Sequence, residues 1–177
     1  MKLMSLNQNN NSGFNCWSLI QVEVSFIPGL PQVHFLGHAD AALKESVFRL
    51  KSAFRQCGFE FPKTQQVVVN LTPQHIKKIS PGIELAVALA ILKMTGQGPE
   101  WNPSEFVGYG EIGLNGEIKF PDAGKPVQIP AHNKLLSGPG FEKYMEGFSL
   151  AHLRDLESLH WLDKTESRIL QKPVAAV

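Results

Sequence analysis

Two cysteines, Cys16 and Cys57, stand in 177 residues. That is too few for a disulfide framework, so two reduced thiols in a cytosolic protein are the expected state. No apolar run reaches the roughly 20 residues that a membrane-spanning helix needs. The opening MKLMSLNQNNNSG has one lysine and then turns polar, without the apolar middle of a secretory signal. Neither charge dominates: 17 Lys and Arg against 16 Asp and Glu leave a net charge of +1. This balance excludes a strongly electrostatic binder of polyanions and leaves room only for a local basic patch. With 43% hydrophobic residues, a chain of this length buries an ordinary single-domain core without staples.

Phosphate and metal motifs are missing as well. No G-x-x-x-x-G-K-[ST] occurs; Gly124-Lys125 runs into Pro126 and lacks the upstream glycine, which argues against ATP hydrolysis by this chain. Gly108-Tyr109-Gly110-Glu111-Ile112-Gly113 matches a bare G-x-G-x-x-G, but its glycines lie in a predicted strand that enters a turn, not where a strand becomes a helix. The histidines (His34, His38, His75, His132, His152 and His160) come without H-E-x-x-H or C-x-x-C, so they read as surface or packing residues. No cofactor or metal is expected in the chain itself.

What is present reads as one mixed α/β domain. Residues 5–15 (SLNQNNNSGFN) are Asn-rich, and residues 1–15 are expected to be a flexible lead-in. From Trp17, Ile20, Val22, Val24 and Phe26 alternate with polar residues as in a strand. Pro28-Gly29-Leu30-Pro31 breaks it, and Val33 and Phe35 suggest a short returning strand. Leu43, Val47, Leu50 and Phe54 build one apolar stripe on a helix over 40–57, with Asp40 as N-cap and Gly58 past its end. Gln66 to Leu71, rich in valine, predicts a central strand covered on both faces. A helix from about Pro81 to Met94 is apolar nearly all round and is expected in the middle of the domain. Phe106–Ile112 and Ile118–Phe120 form a hairpin across Asn115-Gly116, the pair a type I′ turn asks for. A last helix from Ser149 carries Leu150, Leu153, Leu156 and Leu159. Residues 16–163 thus form the domain, and 164–177 read as a tail or linker.

Two constellations carry chemistry. Ser80 precedes the buried helix and Lys125 follows the hairpin. A serine hydroxyl beside a desolvated lysine works as a nucleophile–base dyad, because burial lowers the amine pKa. The plainer reading makes Ser80 an N-cap with Pro81 at the first helical position, and Lys125 a solvated surface residue. Lys77-Lys78 together with Lys51 and Arg55 make a candidate basic patch for DNA, although paired lysines on helix faces are usually just solvated.

The segments Pro28-Gly29-Leu30-Pro31, Asp40-Ala41-Ala42-Leu43-Lys44-Glu45-Ser46, Val69-Asn70-Leu71-Thr72-Pro73 and Gly110-Glu111-Ile112-Gly113-Leu114-Asn115-Gly116-Glu117-Ile118 occur in this order. Together they resemble the N-terminal domain of the magnesium-chelatase-like ComM/YifB proteins over about residues 17–160. The resemblance implies a two-layer α/β fold of the Lon-protease type, shared with a ribosomal small-subunit protein domain. It also implies cytoplasmic location and an accessory, assembly or substrate-guiding role beside a AAA+ ATPase ring. ATP and Mg would enter only through that ATPase, with self-association and an indirect link to DNA branch migration and natural transformation.

Two departures stand out. Ile79-Ser80-Pro81-Gly82-Ile83 is closer to the Lon nucleophile segment than to the usual Gly-Ser-Gly-x-Asp-like one, and Lys125 falls where Lon has its catalytic lysine. A Ser80–Lys125 peptidase is therefore the alternative. Pro126 and Pro130 stand where the family continues as a regular helix, and Pro130 would remove a hydrogen bond inside it.

Overall fold

The computed structural model describes residues 1–11, 14–78, 82–121 and 129–157. The elements are β1 (Lys2–Asn11), β2 (Phe14–Pro28), β3 (Val33–Leu36), α1 (Ala41–Gln56), β4 (Gln65–Thr72), α2 (Ile83–Met94), β5 (Phe106–Gly108), β6 (Glu111–Ile112), β7 (Ile118–Lys119), β8 (Lys134–Ser137) and β9 (Gly147–Ser149). Seven strands form one mixed sheet in the order β3-β4-β2-β1-β5-β8-β9, and β6 pairs with β7 in a separate ribbon. The fold is α/β, as the sequence predicts.

The expected flexible lead-in is instead the middle strand of this sheet. β1 runs antiparallel to β2 from Lys2↔Glu23 to Asn11↔Phe14, and Met4 pairs in parallel with Val107 of β5. Its polar residues are accommodated by bonds to distant backbone. Ser5 and Asn7 are buried; Ser5 Oγ donates to the Gly108 carbonyl at 2.7 Å, and Asn7 Nδ2 donates to the Lys77 carbonyl at 3.1 Å.

One face of the sheet carries Ile20, Val22 and Val24 of β2 and Val67, Val69 and Leu71 of β4, all buried against the helices. α1 presents Leu43, Leu50, Ala53 and Phe54 to this core, and Asp40 caps it by accepting from Leu43 N at 2.8 Å. α2 is enclosed by β1, β2 and β5, by α1 and by β6, so every residue from Ile83 to Leu92 is buried. On the opposite face, Phe120, Phe141 and Tyr144 close over Leu6, Val107, Tyr109 and Leu135. Gln66, Val68 and Asn70 on that face of β4 stay half-exposed, so β4 is covered on one face rather than two.

Two further expectations change. Among the described residues the one non-glycine with positive φ is His38, so Asn115 does not adopt the left-handed conformation that a type I′ turn requires. Instead Gly113 N donates to Glu117 O and Gly116 N to Gly113 O, both at 2.9 Å, with Gly116 alone turning to φ 88°. A side chain at Gly116 would strike Cys57 Sγ and the His152 ring. The last helix is also not formed at Ser149, which ends β9; short 3-10 turns follow at 153–157, and Leu159 lies outside the described residues. Leu150 N donates to Ser137 O and Leu153 N to Gly116 O, so the sheet and hairpin take the donors an α-helix would use itself. Leu150, Leu153 and Leu156 are buried all the same. Among the described residues no helix is long and apolar enough to cross a membrane.

Candidate functional site

Ser80 and Lys125 both lie outside the described residues, as do Pro81 and Pro126. The frame on either side of Ser80 is described. Lys78 sits on the strand-like approach, bridged to Ala39; its N–H donates to His38 O, and its carbonyl accepts from Asp40 N, both at 3.1 Å. Its side chain turns inward and is fully buried, with Nζ donating to the Pro73 carbonyl. Burial pushes this ammonium below the usual lysine range. Lys78 is thus an interior residue, and the basic patch expected at Lys77-Lys78 loses it. Lys51 and Arg55 instead line a groove along α1 together with Lys63.

Downstream, Gly82 packs against the Tyr109 ring, and any Cβ there would enter that ring. Gly110 N donates to Gly82 O at 2.7 Å, and Leu85 N donates to Gly110 O at 3.1 Å. The start of α2 is therefore stitched to the segment joining β5 and β6.

Within the first turn of α2 lies Glu84, fully buried in an otherwise apolar stretch from Ile83 to Leu92. Its Oε1 accepts from Arg49 of α1 and its Oε2 from Ile112 N at 3.0 Å. Three elements meet on this one carboxylate. Desolvation raises the Glu84 pKa, opposed by the hydrogen bond from Arg49 and then by that from Ile112 N–H. Arg49 in turn is held above its ordinary value, first by its bond to Glu84. A lone acid within an apolar run was the available sequence signal for Glu84. Arg49 gives none, because the contact spans 35 positions.

A second polar cluster joins the end of α1 to the hairpin and the segment after β9. Cys57, the C-cap of α1, places Sγ 3.7 Å from His152 Nδ1, and Sγ donates to the Asn115 carbonyl at 3.8 Å. Arg154 Nε donates to His152 Nδ1 at 3.1 Å. Burial pushes the Cys57 thiol up, opposed by the main-chain N–H and charge of Arg154. Such a thiol is protonated near neutral pH and is not poised as a nucleophile.

The resemblance implies ATP and Mg only through an associated ATPase. Among the described residues no group of three or more His, Cys, Asp or Glu side chains converges as a metal site requires.

Comparison with known proteins gives a consistent answer. An uncharacterized protein of Mycobacterium tuberculosis is 30% identical over 101 residues, which is 57% of this chain and 20% of the relative. YifB of Escherichia coli is 30% identical over 100 residues, 56% of this chain and 20% of its own length. The competence protein ComM of Haemophilus influenzae is 27% identical over 101 residues, again 57% and 20%. The chain thus spans about a fifth of the length of these curated relatives. The family model described as subunit ChlI of Mg-chelatase matches residues 22–137, from β2 through β8, and the chain belongs to this family.

Proposed function

We propose that this chain is a non-enzymatic accessory domain of a Mg-chelatase-like, ComM/YifB-type AAA+ system, acting by docking to the ATPase ring and by self-association. The observation that carries the reading is the family match over residues 22–137 in a sequence that contains no phosphate-binding loop. ATP and Mg chemistry then resides in a partner domain, and DNA is reached indirectly, through the ring. The ComM relative is a competence protein, which supports a place in natural transformation; a link to DNA branch migration is part of the same proposal. The layered arrangement of helices on one sheet face supports a Lon-type fold within this reading. α2 is sealed on all sides, and the Glu84 carboxylate ties it to α1 and β6.

The test is to measure the mass of the chain in solution by light scattering, alone and with the ATPase portion of a ComM/YifB relative. The expected result is co-elution with the ATPase and no ATP turnover by the chain alone. A monomer that ignores the ATPase, or a chain that hydrolyses ATP unaided, overturns the proposal. Fluorophosphonate labelling that is lost in Ser80→Ala would replace it with a peptidase using Ser80 as nucleophile and Lys125 as general base.

A further inference from the structure

The groove along the outer side of α1 has a composition that the accessory role does not use. It has a volume of about 810 Å³ and is lined by Pro31, Phe59, Phe61 and Pro62, with Lys51, Arg55 and Lys63 at its rim. Lys51 Nζ stands over the Phe61 ring, 5.6 Å from its centroid, which fixes the cation beside the apolar floor. Phe61 is itself braced edge-on against the buried Phe54 at 5.3 Å. One acid, Glu60, also lines the groove, paired with Lys63 at 3.6 Å, so three cations face one anion. In a chain of net charge +1 this is a concentrated positive site. Two large apolar side chains close in sequence to lining residues also stand out in water: Leu30, next to Pro31, is 85% exposed, and Phe48, about one helical turn before Lys51, is 75% exposed.

We infer that this groove is a docking site for an acidic peptide segment carrying an aromatic or large aliphatic anchor. The anchor would rest on Phe61, Pro31 and Pro62 while carboxylates meet Lys51, Arg55 and Lys63. Charge complementarity commits the surface to this occupant. Residues 158–177 of the chain itself contain Lys164, Arg168 and Lys172 against Asp163 and Glu166, so they are a poor match for a basic rim. A nucleic-acid strand would call for a longer cationic track. Here Lys78 is buried away from the patch, and the cations lining the groove are Lys51, Arg55 and Lys63. The inference stands apart from ring docking, since it uses only these side chains.

The experiment measures fluorescence anisotropy of a labelled peptide in which Glu and Ser alternate around a single Trp, added to the full 177-residue chain. Saturable binding is expected, weakened about tenfold or more by Lys51→Glu/Arg55→Glu and by moving from about 0.05 M to about 0.5 M salt. Phe61→Ala should weaken the Trp peptide more than a Trp→Ser version of it. Lys51 and Arg55 are exposed, so an unchanged thermal melt removes misfolding as the cause for their reversal; Phe61 is half-buried against Phe54, and comparing the two peptides on the same Phe61→Ala protein controls for any loss of stability. Absence of binding, equal binding of the peptide with Gln in place of Glu, or indifference to the charge reversal overturns the inference. So does oligothymidylate binding more tightly than the peptide, which would make the groove a nucleic-acid surface.

Discussion

Removing Arg49 should do more damage than removing Arg49 and the charge of Glu84 together. Glu84 is wholly buried, and its two oxygens are held by Arg49 and by Ile112 N–H at 3.0 Å. Stripping one partner from a buried ion pair typically costs 3–5 kcal/mol, because the remaining charge is stranded. Arg49 keeps 33% of its side chain exposed, so water relieves part of that cost, and Ile112 N–H still serves the carboxylate. The expected loss for Arg49→Met is therefore about 2–3 kcal/mol. Glu84→Gln keeps an acceptor for Ile112 N–H and for Arg49 but turns charge-assisted bonds into neutral ones, a loss of about 1 kcal/mol. In Arg49→Met/Glu84→Gln no charge is stranded, and the double variant should recover about 1 kcal/mol relative to Arg49→Met.

The assay is urea denaturation followed by far-UV circular dichroism, comparing midpoints at constant slope. Against a typical stability of about 5–15 kcal/mol all three variants remain folded. An Arg49→Met loss below about 0.5 kcal/mol would show that the carboxylate is not sealed in, and a double variant weaker than Arg49→Met would refute the stranded-charge argument.

Two other predictions follow from the same geometry. The Glu84 carboxyl lies above its ordinary range, so the folded state holds the proton more tightly than the unfolded chain does. Its contribution is then fully present below about pH 4.3 and is lost as pH rises through the folded value. Wild-type stability minus that of Glu84→Gln should fall from about pH 4 toward pH 7, and a flat difference would contradict it. Gly116 and Gly140 both have positive φ, 88° and 109°, but a Cβ at Gly116 meets Cys57 Sγ and the His152 ring, whereas Gly140 has open space. Gly140→Ala should therefore cost about 1–2 kcal/mol from backbone strain, and Gly116→Ala clearly more; equal thermal shifts would mean that the hairpin does not press on the end of α1.

Periodicity and local chemistry made much of the helical layer legible. Leu43, Leu50 and Phe54 recur at helical spacing, Asp40 caps by bonding three residues ahead, and Gly58 takes positive φ just past the end of α1. The apolar run from Ile83 to Leu92 said that α2 is surrounded, and it is. These are properties of a residue and its near neighbours, which any window along the chain contains.

Other features depended on contacts that no local window holds. β1 looked like a loop because Ser5 and Asn7 are polar, yet they are buried against carbonyls 103 and 70 positions away. Lys78 looked solvated, but its ammonium is drawn inward onto Pro73 O. Asn115-Gly116 suggested one turn type, and the pairing of Gly113 with Glu117 set another. The candidate sites behave likewise: Lys51 and Arg55 share a helix face, while Phe61, Lys63 and Pro31 reach the same groove only after folding. Sequence alone thus determined α1, α2, the strands β2 to β4 and which kinship the chain has. Tertiary structure decided which polar groups are buried and which charges meet, because desolvation and Coulomb interaction act through space and not along the chain.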